Sequence, residues 1–182
     1  MSIILLAALL PLQGKDYNAS MFGVKSNGTT LNTSSIQKGI DYISENGGGR
    51  LVFYVGRYLT GTIYLKSNVT IQLEEGAILV GSVNPFDYEM NHNWTALIFA
   101  LDQENIGITG KGVIDGQGFQ VAYNLVDMIH KGVVKDPLKY DRPRETIRPQ
   151  NIYFRGCRNI VIRDILLKDP GSWNQQYDQC RN

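Results

Sequence analysis

Hydrophobic residues in this chain follow two rhythms. Ile36, Ile40 and Ile43 recur at helical spacing, which predicts a short amphipathic helix, with Ser34 and Gln37 placed to form a capping box at its start. It should end at Asn46-Gly-Gly-Gly49, where glycines accept the positive φ of a helix terminus. From Arg50 onward the period falls to two: Leu51, Phe53 and Val55, then Ile63 and Leu65, then Val69, Ile71 and Leu73. Such alternation predicts short strands parted by turns. No second helix is expected, and the stretch from Phe119 to Thr146, of mixed polarity, reads as a long loop leaving the strand rhythm.

The strands repeat. Asparagine stands just before apolar alternation in Asn68-Val-Thr-Ile, Asn105-Ile-Gly-Ile, Asn151-Ile-Tyr-Phe and Asn159-Ile-Val-Ile. Cys157-Arg-Asn159 recurs as Cys180-Arg-Asn182, 23 residues further on, a period that suits one coil of a solenoid. The fold class this predicts is all-β, a parallel β-helix in which each coil pairs with the one below and turn asparagines bond along the axis. An early helix then serves as a lid on the first coil, whose open end would otherwise expose unpaired backbone.

Composition agrees, with 43% hydrophobic and 19% charged residues in 182, enough for one packed domain. Residues 1–14 form an apolar leader too short to span a bilayer. It is read as a signal peptide, although it lacks a basic first segment and would also serve as a buried first strand. No membrane association is expected, and localisation is secreted or periplasmic. A net charge of +1 argues against nucleic acid as a partner. Positive charge gathers locally at Lys131, Lys135, Lys139, Arg142, Arg144, Arg148, Arg155, Arg158 and Arg163. Such a surface would attract an acidic polysaccharide, or it is simply a solvated face.

Candidate chemistry is sparse. Cys157 and Cys180, one coil apart, fit either a disulfide or an interior thiol stack. His92 and His130 lack the spacing of a metal site, so neither metal nor cofactor is expected. Gly110, Gly112, Gly116 and Gly118 are assigned to coil corners because no helix in a βαβ setting follows them. Asp115 has no second carboxylate beside it, and glycoside hydrolysis uses two, so it is assigned to a turn. Trp173, Gln175 and Tyr177 would share one strand face and offer stacking and hydrogen bonding to sugar rings, or else pack in a ladder.

Met21-Phe-Gly-Val-Lys25, Gly47-Gly-Gly49, Tyr58-Leu-Thr-Gly-Thr62, Leu65-Lys-Ser-Asn-Val-Thr-Ile71 and Gly76-Ala-Ile-Leu79 are followed by Gly112-Val-Ile-Asp-Gly-Gln-Gly118, Arg148-Pro149, Cys157-Arg-Asn-Ile-Val-Ile-Arg-Asp-Ile165 and Ser172-Trp173. In that order they resemble the polygalacturonase-type hydrolases of glycoside hydrolase family 28. The resemblance implies a right-handed parallel β-helix and metal-independent, inverting hydrolysis of galacturonate-containing pectin by a monomeric enzyme. It departs from the pattern at Ser26-Asn27-Gly28 and Val55-Gly56-Arg57. The family's catalytic signatures, Asn-Thr-Asp, Asp-Asp, Gly-His-Gly and Arg-Ile-Lys, do not occur in these residues. Residues 15–182 are thus expected to be the N-terminal part of one β-helix domain, inactive alone, with its catalytic residues beyond Asn182 and substrate contacts at Trp173, Gln175 and Tyr177. A pectate-lyase-like enzyme using calcium and a non-catalytic carbohydrate-binding β-helix are the competing readings.

Overall fold

The computed structural model describes residues 14–135 and 144–182. Leader residues 1–13, Lys139 and Arg142 lie outside the described residues. The strands build a right-handed parallel β-helix, as the resemblance implies. After β1 (Asp16–Asn18) and α1 (Thr33–Glu45), each coil runs through three sheets. Sheet A stacks β1, β2 (Gly49–Phe53), β5 (Val69–Leu73), β9 (Glu104–Gly110) and β12 (Arg158–Arg163). Sheet B stacks β3 (Gly56–Thr60), β6 (Ala77–Gly81), β10 (Val113–Asp115) and β13 (Leu166–Lys168). Sheet C stacks β4 (Ile63–Tyr64), β8 (Trp94–Leu101), β11 (Gln150–Arg155) and β14 (Gln175–Asp178). Every pairing along these stacks is parallel, and among the described strands only β7 (Met90–Asn91) runs antiparallel, against β8.

Period-two alternation produces the core. In sheet A, Leu51, Ile71 and Ile108 lie in register and point inward with no exposed surface. The isoleucines of α1 close the bottom of this core: Ile36, Ile40 and Ile43 are fully buried in the same cluster, each burial contributing about 1.5–3 kcal/mol. The helix is therefore the predicted lid. Its cap differs from the expected box. Asn32 precedes the helix without a side-chain cap bond, because its amide bonds Lys25, Thr30 and Leu59 instead. Gln37 exchanges two bonds with the Tyr64 backbone, accepting at 2.7 Å and donating at 3.0 Å, and so fastens the lid to β4.

Asparagines govern one corner. Asn68, Asn105 and Asn159 each take positive φ, between 53° and 63°, a conformation that asparagine tolerates better than most side chains. In the first coil the corresponding place is held by Gly48, where a Cβ would stand 2.6 Å from the Asn68 carbonyl oxygen. Asn151 plays a different part. It is fully buried and donates to the Lys168 carbonyl and to Asn174 Oδ1 at 3.0 and 2.8 Å.

Two insertions leave the coil at the corner between sheets B and C, over residues 82–93 and, among the described residues, 116–135 and 144–149. Within the second lies α2 (Gly118–His130), which corrects the expectation of a loop from Phe119 and of a single helix. Only Gly118, Val121 and Leu125 of α2 are buried, and the exposed Phe119 and Tyr123 blur its apolar stripe in the sequence. Asn124 ties it to the first insertion by donating to the Val83 carbonyl at 2.8 Å. Gly116 and Gly118 do shape the corner: a Cβ on Gly118 would lie 2.1 Å from the Pro170 carbonyl oxygen.

Candidate functional site

Sheet C separates the predicted contact residues. Gln175 and Tyr177 pair with Ile152 and Phe154, which belong to the core together with Ile98 and Ala100. Both side chains therefore follow inward rows. The Tyr177 hydroxyl donates to Gln175 Oε1, its ring meets Phe154 edge to face, and burial pushes its phenol up from the ordinary tyrosine range. The single strand face expected for the three residues is thus corrected. Trp173 precedes β14 and packs outside the coil against Trp94, with ring centroids 4.9 Å apart.

The outward row of sheet C is Tyr64, Phe99, Tyr153 and Gln176. Tyr64 stacks on Phe99 at 5.4 Å, and Phe99 meets Tyr153 edge to face at 5.6 Å. Phe99 and Tyr153 are buried although they point outward. At the top the row turns polar: Gln176 is half-buried, and its Oε1 accepts a 2.7 Å bond from Nε2 of the fully buried Gln150. Asn151 donates its backbone N–H to the Trp173 carbonyl, which sets Trp173 at the level of Gln150 in the coil above. Trp173 keeps 45% of its surface exposed. An exposed indole and, three residues on, an amide anchored from below offer ring stacking and hydrogen bonding, the pairing that binds sugars. Gln176, Gln150 and Trp94 were not singled out in the sequence. The signal was available in alternation from the core residues Ile152 and Phe154, which places Tyr153, and Gln176 above it, outside.

The second half of the chain shares its positive charge with acids. Lys131 pairs with Asp127 at 2.6 Å, Arg158 with Glu104 at 3.2 Å, and Arg155 with Asp178. Arg148 donates to the Gly171 carbonyl at 2.8 Å and presses the Pro170–Ser172 segment onto β11. Asp115 pairs with Lys168 at 3.1 Å while accepting from the Gln117 N–H, so it holds a corner, as expected. Its bond to Lys168, with that of Asp169, raises the lysine pKa. Both cysteines are free and form the interior stack: Cys157 Sγ donates to the Ala100 and Arg155 carbonyls at 3.3 Å, and Cys180 to Phe154 and Asp178 at 3.5 Å.

No protein-family profile matches the chain. Individual relatives do. A solved structure from Parabacteroides merdae ATCC 43184, assigned to the glycosyl hydrolases, is 46% identical with a TM-score of 0.84, over 92% of this chain and 71% of that one. The family 28 exopolygalacturonase of Yersinia enterocolitica is 26% identical with a TM-score of 0.75, over 92% of this chain and 38% of that one. Among curated proteins, an exo-poly-α-D-galacturonosidase of Dickeya chrysanthemi is 38% identical over 214 residues, 92% of this chain and 35% of the relative. Coil architecture and these relatives define the class as a parallel β-helix glycosyl hydrolase. The chain belongs to the polygalacturonase family, glycoside hydrolase family 28. It spans about a third of the length of the curated relatives named for that activity.

Proposed function

We propose that the protein to which these coils belong hydrolyses glycosidic bonds in galacturonate-containing pectic polysaccharide, with inversion. The observation that carries this reading is the 38% identity, over 92% of the chain, to an exo-poly-α-D-galacturonosidase. Inverting hydrolysis requires a carboxylic acid to protonate the leaving oxygen and a carboxylate to activate water, about 6.5–9.5 Å apart. Asp115 is committed to Lys168 and a turn, so this reading draws both groups from the signature motifs that these residues lack. The role left to the coils described is to hold substrate. Trp173 is the stacking surface and Gln176 the adjacent polar contact, on the outer face of sheet C. Gln175 and Tyr177 support them from the inward side of the same strand.

A polymeric substrate and the apolar run from Met1 to Leu10 support reading the protein as a secreted or periplasmic monomer. The test is incubation of the full-length protein with polygalacturonate without added metal. Release of reducing ends without an ultraviolet-absorbing unsaturated product is expected. An unsaturated product would replace hydrolysis with elimination, and binding without cleavage would leave a carbohydrate-binding protein.

A further inference from the structure

The outward row of sheet C changes chemistry at its last step, from the aromatic Tyr64, Phe99 and Tyr153 to the amide of Gln176. Two features fix that amide. Gln150, with no exposed surface, donates Nε2 to Gln176 Oε1 at 2.7 Å, so the Gln176 amide is turned with its oxygen toward Gln150. Gln150 Oε1 is itself buried without a partner among the described residues, a cost of about 1–3 kcal/mol. A buried glutamine held at that cost is what a positioning role requires, since packing alone would be better served by an apolar side chain. Gln176 Nε2 makes no hydrogen bond among the described residues and is not among their buried unpartnered atoms. The half-buried side chain therefore keeps N–H donors available in the strand that follows the exposed Trp173.

We propose that Gln176 is a specificity-determining residue that donates to the carboxylate of a uronate ring stacked on Trp173, and that Gln150 is the positioning residue that keeps its amide in the donating orientation. This rests on the galacturonate reading given above and adds to it the group that distinguishes acidic from neutral polymer. A free N–H donor suits a carboxylate, which when ionised only accepts, and a hydrogen bond to a charged group is worth about twice a neutral one.

The experiment compares binding of the protein to polygalacturonate and to the same polymer with its carboxyl groups reduced, by affinity electrophoresis. Gln176→Glu retains the oxygen that accepts from Gln150 and replaces only the outward NH2 with a charged oxygen. Its affinity for polygalacturonate is expected to fall about tenfold or more, while that for the reduced polymer stays within about twofold of wild type. Gln150→Leu is expected to preserve folding, judged by its melting curve, and to lose discrimination between the polymers as Gln176→Leu does. Equal loss by Gln176→Glu on both polymers would overturn the assignment of a carboxylate. Unchanged binding by Gln176→Glu, with loss in Trp173→Ala, would overturn this proposal and leave the galacturonate reading standing. No binding of polygalacturonate by the wild-type protein would overturn both.

Discussion

Asn159 donates from Nδ2 to Asn105 Oδ1 at 3.0 Å, and Asn105 donates in the same way to Asn68 Oδ1 at 2.9 Å. Each member sits at positive φ at the start of a sheet A strand, so one residue type supplies both the corner's conformation and its coil-to-coil bond. Asn105→Ala removes two side-chain bonds and strains the backbone, an expected loss of about 2–3 kcal/mol, or roughly 5–10 °C in melting temperature. Asn105→Gly relieves the strain and should recover part of that loss. Equal melting of both variants and wild type would remove the ladder from the account.

Gly118 starts α2 against the Pro170 carbonyl, where a Cβ would meet oxygen at 2.1 Å. Gly118→Ala forces the backbone to shift, costing about 1–3 kcal/mol. Because Pro170 leads into Trp173, polygalacturonate binding should weaken along with stability. Thermal melting and affinity electrophoresis on the same variant test both effects.

The buried thiol of Cys157 is expected to be unreactive in the folded protein. Burial, assisted by the neighbouring Cys180, raises the Cys157 pKa and keeps it a thiol at neutral pH. Alkylation should therefore leave Cys157 unmodified in the native protein and reach it only on unfolding, which mass spectrometry of modified peptides resolves.

Tyr88 predicts an alkaline limit. Burial, then the adjacent Asp87 charge, raises its phenol pKa well above the ordinary value, and its hydroxyl donates to the Ser82 carbonyl at 2.7 Å. Above about pH 10 an unfolded tyrosine ionises while folded Tyr88 keeps its proton. The folded state then binds more protons, and stability falls as pH rises through that range. Tyr88→Phe should flatten this limb while losing about 1 kcal/mol at neutral pH from the missing bond. An unchanged alkaline slope would assign the limit to other groups.

Much of the fold was legible because solenoid coils repeat. Asn68, Asn105 and Asn159 marked a corner, and the spacing of Cys157 and Cys180 gave the coil length, since each coil repeats the same inward positions. The lid was legible because Ile36, Ile40 and Ile43 all enter one core. Helix α2 was not, because Val121 and Leu125 are its only large buried residues and Phe119 and Tyr123 are exposed. The facing of β14 was illegible for a related reason: Gln175 to Asp178 carries no apolar alternation, and only pairing with Ile152 and Phe154 sets which side chains enter the coil. Trp173 was found from its residue type, whereas Gln176 needed the register.

Binding of galacturonate on the outer face of sheet C at Trp173 has a built-in reporter. Trp94 and Trp173 are the chain's two tryptophans and they touch each other there. Titration with oligogalacturonate should produce a saturable change in intrinsic tryptophan fluorescence that is abolished in Trp173→Ala. Fluorescence that stays constant while the polymer demonstrably binds would place the contact elsewhere on the molecule and contradict the account.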